Sequence, residues 1–205
     1  MSRGRWTKEQ FQGDAQSLAK ALLGTQLVRM LDDGSQISGT IVETEAYLGV
    51  MDRAAHAFGG RRTQRNETMY AAAGTAYVYL IYGMYNCFNV VCGEPDEPTA
   101  VLVRALAPIE GIQRMREARS KAKRERDLCS GPGKLCQALF IDRSLDGEDL
   151  ASSDRLFIKG EPGPPKDSTL ICAPRIGVDY AGAWADKPLR YYLEESEHVS
   201  KKLRS

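Results

Sequence analysis

Two glutamates two residues apart, Glu43 and Glu45, lie in the run IVETEAYLG, whose other members are mostly apolar or β-prone. A carboxylate in such a strand must be paired, solvated at an edge, or functional, because an unpaired charge is costly to bury. Arg104, in the similar run VLVRALAP, is the natural partner. Two readings stand side by side. In one, the acids and Arg104 form a structural salt bridge. In the other, Glu45 is a general base that deprotonates a water, and Arg104 helps to orient that water.

A second cluster is aromatic: Tyr77, Tyr79, Tyr82 and Tyr85 surround the turn Tyr82-Gly83-Met84-Tyr85. Aromatic residues are ordinary in strands, so sheet packing and an exposed edge are one account. A hairpin tip bearing a tyrosine and a methionine nevertheless presents bulky, partly apolar groups from which a monomer gains nothing. Such a tip suits a wedge that fills the gap left by an extruded base. The stretch Ser130-Gly131-Pro132-Gly133-Lys134 looks like a phosphate loop but lacks the required glycine spacing. It reads as a helix start that either is simply capped or, with Lys134, holds one phosphate.

The elements that must position these groups follow from local pattern. Residues 14–23 put Ala15, Leu18, Ala19 and Leu22 on one helical face, with Gly24 behind them as a C-terminal cap. Leu27–Met30 and Gly39–Tyr47, separated by LDDGS, predict a hairpin, and residues 48–75 a functional loop with a short helix near 67–73. Strands are predicted at 75–81, 86–92, 100–106 and 170–176, and a surface loop at 160–166. Pro108 is placed to open a helix carrying Ile109, Ile112 and Met115 into the basic run ending at Arg126, and Pro132 a second helix capped by Ser130. Strands scattered among helices without regular βαβ alternation predict an α+β fold. The expectation is a single mixed domain over 1–205 with a curved, mainly antiparallel sheet, flanking helices and a protruding β-hairpin, residues 1–13 and 196–205 being flexible.

Composition bounds the rest. The 205 residues, 42% apolar and 27% charged, suffice for a sizeable core, and no signal-like or membrane-length apolar run is present. A soluble intracellular protein is expected, nuclear in a eukaryote and in the cytoplasm or nucleoid of a bacterium. Five cysteines in mostly apolar contexts predict buried reduced thiols. With only two histidines and no close cysteine pair, no metal site is expected. The net charge of +1 hides local clusters, Arg61, Arg62 and Arg65 in one and Arg114 to Arg126 in another. These suit either a solvated surface or a basic face.

Eight motifs in order, IVETEAYLG, AAH, GGRRTQRN, YVYLIYGMYNCFNV, VLVRALAP, LCSGPGKLCQAL, GVDYAGAW and KPLRYY, span about Ala19 to Leu193. In them the chain resembles the alkyladenine DNA glycosylases, also called 3-methyladenine or N-methylpurine DNA glycosylases. The resemblance implies a monofunctional hydrolase that needs no cofactor. It would flip 3-methyladenine, 7-methylguanine, hypoxanthine or ethenoadenine from duplex DNA, starting base excision repair. It further implies that Glu45 is the general base, with Arg104 and the main-chain carbonyl of Ile176 also holding the water. At 176 the family's human member has valine, which matters little for a carbonyl. Tyr47 and Tyr79 would stack on the flipped base, the His56 amide would bond its 6-position, and Asn89 would crowd out guanine. Tyr82 would intercalate, flanked by Met84 and Tyr85, while Arg61, Arg65 and Lys134 would face DNA phosphates. The expected partner is lesion-bearing double-stranded DNA, met by a monomer away from membranes. A catalytically inactive lesion-binding protein on the same fold is the main alternative. An RNA-binding module is a further one.

Overall fold

In the computed structural model, which describes residues 4–203, the apolar runs become eight strands of one curled antiparallel sheet. β1 (Gln26–Met30) and β2 (Gln36–Tyr47) form the expected hairpin, registered from Gln26↔Thr40 to Met30↔Gln36. β3 (Ala76–Ile81) and β4 (Tyr85–Val91) form the second, and β5 (Ala100–Glu110) continues the sheet. β6 (Leu156–Lys159), β7 (Leu170–Ala173) and β8 (Arg190–Leu193) complete it. The order is β3-β4-β5-β2-β1-β6, with β8 on the second half of β2 and β7 beyond it. β2 is therefore the hub, lined by β5 along one edge and by β1 and then β8 along the other.

The four α-helices are short: α1 (Lys8–Phe11), α2 (Ala15–Ala21), α3 (Ile112–Ala118) and α4 (Pro132–Ala138). The Asp14 carboxylate caps α2 by accepting from the amides of Gln16 (2.9 Å) and Ser17 (3.0 Å). The predicted stripe Ala15, Leu18, Ala19 and Leu22 is buried as the pattern requires. Thr44 Oγ1 donates to the Ala19 carbonyl at 2.8 Å, which fastens α2 to one face of β2. Side chains alternate along a strand, so Glu43 and Glu45 on either side of Thr44 point to the opposite face.

Several expectations are revised. Pro108 opens no helix; it lies within β5 opposite Gly39, beside a register irregularity where a missing N–H is tolerated. The helix begins instead at Ile112, after Gly111 at φ 74°, and ends at Ala118, so Ile109 sits on the strand and is exposed. Ser130 does not cap α4: Gly131 occupies the N-cap, and Ser130 Oγ accepts from Lys134 Nζ at 3.4 Å. Cys172 is exposed, whereas the other four cysteines are buried as expected.

Both end segments expected to be flexible are packed where described. Trp6 and Phe11 are core residues with ring centroids 5.1 Å apart. At the other end Val199 is buried, the Ser200 amide donates to Glu43 and the Leu203 amide donates to Tyr192 Oη at 3.1 Å. Residues 1–3 and 204–205 of those segments lie outside the described residues. Among the described residues no helix is long and apolar enough to cross a membrane.

Candidate active site

Both glutamates are fully buried on β2. The β2–β5 register passes from Glu43↔Ala105 to Thr44↔Val103, leaving Arg104 as an extra residue on β5. Bulges of this kind commonly re-aim a side chain at a site. Here the guanidinium lies between the acids, with Nη1 3.2 Å from Glu45 Oε1 and Nε 3.5 Å from Glu43 Oε1. Burial opposes the Arg104 charge, but Glu45 and Glu43 outweigh it and hold its pKa above the ordinary value.

Glu45 has further partners that sequence reasoning did not supply. Its Oε1 accepts from the amide of Ile176 at 2.8 Å, and its Oε2 from Tyr47 Oη at 2.9 Å. The contact from residue 176 is thus made by the N–H, beside the carbonyl that the resemblance singled out. Burial, and then the neighbouring Glu45 charge, push the Tyr47 phenol well above its usual pKa, so it remains a donor. A carboxylate that accepts two hydrogen bonds and faces one guanidinium still has a lone pair free for another donor.

Tyr47 also walls a pocket lined by His56, Tyr77, Tyr79, Asn89 and Tyr180. Tyr79 meets His56 edge-on with centroids 4.5 Å apart, and His56 Nδ1 shares a proton with Tyr77 Oη at 2.9 Å. Asn89 Nδ2 donates to the Tyr77 carbonyl at 3.1 Å, which fixes the amide. Tyr77 was singled out from sequence only as part of the aromatic cluster, with no cue to its histidine partner, and Met69 and Tyr180, which also line the pocket, were not singled out. A groove continues from the pocket past Tyr47 and Tyr79 to Arg104, Ile176, Tyr82 and Lys134.

Burial, with Arg65 and Arg61 adding to it, lowers the His56 pKa from 6.5 to about 4. The ring is therefore neutral at physiological pH. Between those two values the unfolded chain binds a proton that the folded chain does not, so stability rises with pH across that window. We expect stability to fall by about 1–2 kcal/mol from pH 7.5 to pH 5 through this residue, allowing for solvent in the pocket. Urea denaturation at both pH values checks this, because His56→Gln should remove that share of the slope. An unchanged slope would mean that His56 titrates normally.

The hairpin tip projects as expected. Tyr82, Met84 and Tyr85 are 81%, 66% and 47% exposed. Tyr82 and Gly83 have φ of 53° and 68°, and the Met84 amide donates to the Ile81 carbonyl at 3.2 Å. Two successive positive φ values characterise the type I′ turn favoured between twisted strands. A non-glycine residue in that region is uncommon, and Asp96 and Phe140 also have positive φ. Tyr85 packs closely on Gly133 of α4, where an added Cβ would lie 3.1 Å from it.

The basic residues sort by partner. Arg62 is occupied by Glu67 and Asp96, Arg114 by Asp33, Arg116 by Glu125 and Arg124 by Asp127. Three members of the basic run are thus paired, whereas Arg119, Lys121, Lys123 and Arg126 are in no ion pair among the described residues. Arg61, Arg65 and Lys134 have no carboxylate partner among the described residues. Arg61 and Arg65 flank His56 in a cleft beside the pocket, and Lys134 borders the groove. Arg65 is oriented by donating to the Leu80 carbonyl at 3.0 Å and lies over the Tyr79 ring.

A sequence profile described as methylpurine-DNA glycosylase matches residues 9–197, a span containing every candidate site residue. The chain belongs to the methylpurine-DNA glycosylase family. It is 49% identical over 208 residues to the DNA-3-methyladenine glycosylase of Mus musculus, aligned over 96% of this chain and 61% of that one. It is 47% identical to the Homo sapiens DNA-3-methyladenine glycosylase, over 94% of this chain and 66% of its relative. The chain thus spans under two thirds of these mammalian family members. A 42% identical relative from Clostridium perfringens (strain 13 / Type A) is matched along 97% of this chain and 100% of its own length.

Proposed function

We propose that this chain is a monofunctional DNA glycosylase that flips damaged purines out of duplex DNA and hydrolyses their N-glycosidic bond, beginning base excision repair. The observation that carries the reading is Glu45, held by Ile176, Tyr47 and Arg104 where an aromatic pocket meets a groove bordered by an exposed tyrosine hairpin. The names of the mammalian relatives support it.

In this reading Glu45 accepts a proton from water while its negative charge stabilises the oxocarbenium-like sugar. Arg104 and the Ile176 carbonyl hold the water. Tyr47 and Tyr79 sandwich the base, and the His56 amide reads its 6-position. The tethered Asn89 amide crowds the 2-amino group of guanine and so disfavours it, a penalty that 7-methylguanine offsets because it is cationic and leaves readily. The pocket takes 3-methyladenine, 7-methylguanine, hypoxanthine and ethenoadenine because stacking tolerates varied purine edges. Cationic bases leave readily by themselves, whereas neutral ones need protonation. With no lysine placed at the reacting carbon, water is the only nucleophile.

Duplexes carrying one hypoxanthine or one ethenoadenine, incubated without added metal, should yield free base and an abasic site. Binding without release would instead indicate a lesion-binding protein. Flipping costs a few kcal/mol, which the Tyr82 wedge offsets by filling the vacated stack. Tyr82→Ala is accordingly expected to lower release from duplex by roughly 10-fold and to spare release from a single strand. Equal losses on both substrates would exclude the wedge.

A further inference from the structure

Glu43 is fully buried, yet three different elements converge on it. Arg190 on β8 donates Nη1 to Oε1 at 2.8 Å, the Ser200 amide donates to Oε2 at 2.7 Å, and Arg104 Nε lies 3.5 Å from Oε1. Arg190 also donates Nε to the Pro174 carbonyl at 2.8 Å and Nη1 to the Lys201 carbonyl at 2.7 Å. It thereby ties the C-terminal strap to the loop whose next residues present the Ile176 amide to Glu45. The four groups, two acids and two arginines, form a neutral buried set shielded on one side by residues 199–201.

An arginine facing one carboxylate tends to clamp it with two parallel hydrogen bonds. Arg104 does not clamp Glu45; it offers Nη1 to Glu45 and turns Nε toward Glu43. We propose that Glu43 is a positioning residue for hydrolysis: it draws one end of Arg104 away from Glu45, leaving the base a free lone pair, and the C-terminal strap holds Glu43 in that place. This rests on the glycosylase reading. Without the Glu43 charge, Arg104 closes onto Glu45 and occupies the oxygen that must receive the water's proton.

The test separates rate from binding. Single-turnover release from a hypoxanthine duplex is compared with binding to a duplex whose ethenoadenine sugar carries a 2′-fluorine, which slows cleavage. Glu43→Gln is expected to lower the rate constant by about 10- to 100-fold with lesion affinity within threefold of wild type, since small misplacements at a reacting centre cost that much. Glu43→Asp should recover part of the loss. Ser200→Pro removes the strap's amide donor and should slow release, whereas Ser200→Ala removes the hydroxyl but keeps that amide and should not. A folded Glu43→Gln variant with the wild-type rate overturns the inference. Rate and affinity falling together with thermal stability would reduce Glu43 to a structural role and overturn it too. If Glu43→Gln does not fold, equal rates for the two Ser200 variants overturn it. Wild-type protein that releases no base refutes the glycosylase reading itself, whereas wild-type release matched by Glu43→Gln refutes this inference alone.

Discussion

Glu45→Gln is expected to bind lesion duplex like the wild type and to release base at least about 10³-fold more slowly, general base and electrostatic assistance each contributing on that scale. Glutamine keeps the volume and still accepts from the Ile176 amide, but it takes no proton and offers the developing cation no charge. Its NH₂ group must also face either Tyr47 Oη or Arg104, both of which are donors now. Arg104 keeps Glu43 as an ionic partner, so the fold should survive the change. Affinity should hold because Tyr79 and His56 pack on each other rather than on Glu45, and Tyr47 keeps its stacking on Arg175. Single-turnover release and lesion binding, measured on the same preparation, check both halves. Release within tenfold of wild type would remove Glu45 from the reaction and leave another base to be found around the pocket.

Asp52→Ala should have the largest effect on stability, about 3–5 kcal/mol, because it strands a buried guanidinium. Arg175 donates Nη1 and Nη2 to the two Asp52 oxygens at 2.5 and 2.8 Å, and neither side chain is exposed. Arg175 also donates to the Ala46 carbonyl at 3.0 Å and stacks 4.7 Å above the Tyr47 ring. Asp52 in turn accepts from the amides of Leu48 and Ala54, both at 3.0 Å. One ion pair therefore fixes the Tyr47 wall, the start of the 48–75 loop and the residue preceding Ile176. For a chain of this size the melting temperature should fall by roughly 6–20 °C. Lesion affinity, measured well below the new midpoint, should weaken with it as Tyr47 loses its support. A melting temperature within about 2 °C of wild type would show that the pair is replaceable by water or neighbouring dipoles.

Much of the strand content was legible in the sequence, because period-two alternation and turn residues act between neighbours. The β1–β2 hairpin and the projecting Tyr82-Gly83-Met84 tip follow from such local rules. Pro108 misled for a related reason: proline suits a helix start and a strand irregularity alike, and only the register of β5 against Gly39 selected the second. The contacts of the end segments were not legible, because a polar composition does not reveal a backbone amide pointed at a buried acid.

The amino-acid sequence by itself determined that two carboxylates, a row of tyrosines and an exposed aromatic turn had to be accommodated, and its ordered motifs carried the family. Which glutamate meets Tyr47 and the Ile176 amide, and which meets Arg190 and the Ser200 amide, was decided only by tertiary structure. That choice depends on Arg104 being displaced at a bulge, on Arg175 meeting Asp52 across 123 positions, and on Ser200 meeting Glu43 across 157. Local preferences do not encode partners at such separations. A buried charge accepts whichever opposite charge and amide the closed sheet brings within about 3 Å, and chain closure settles that geometry.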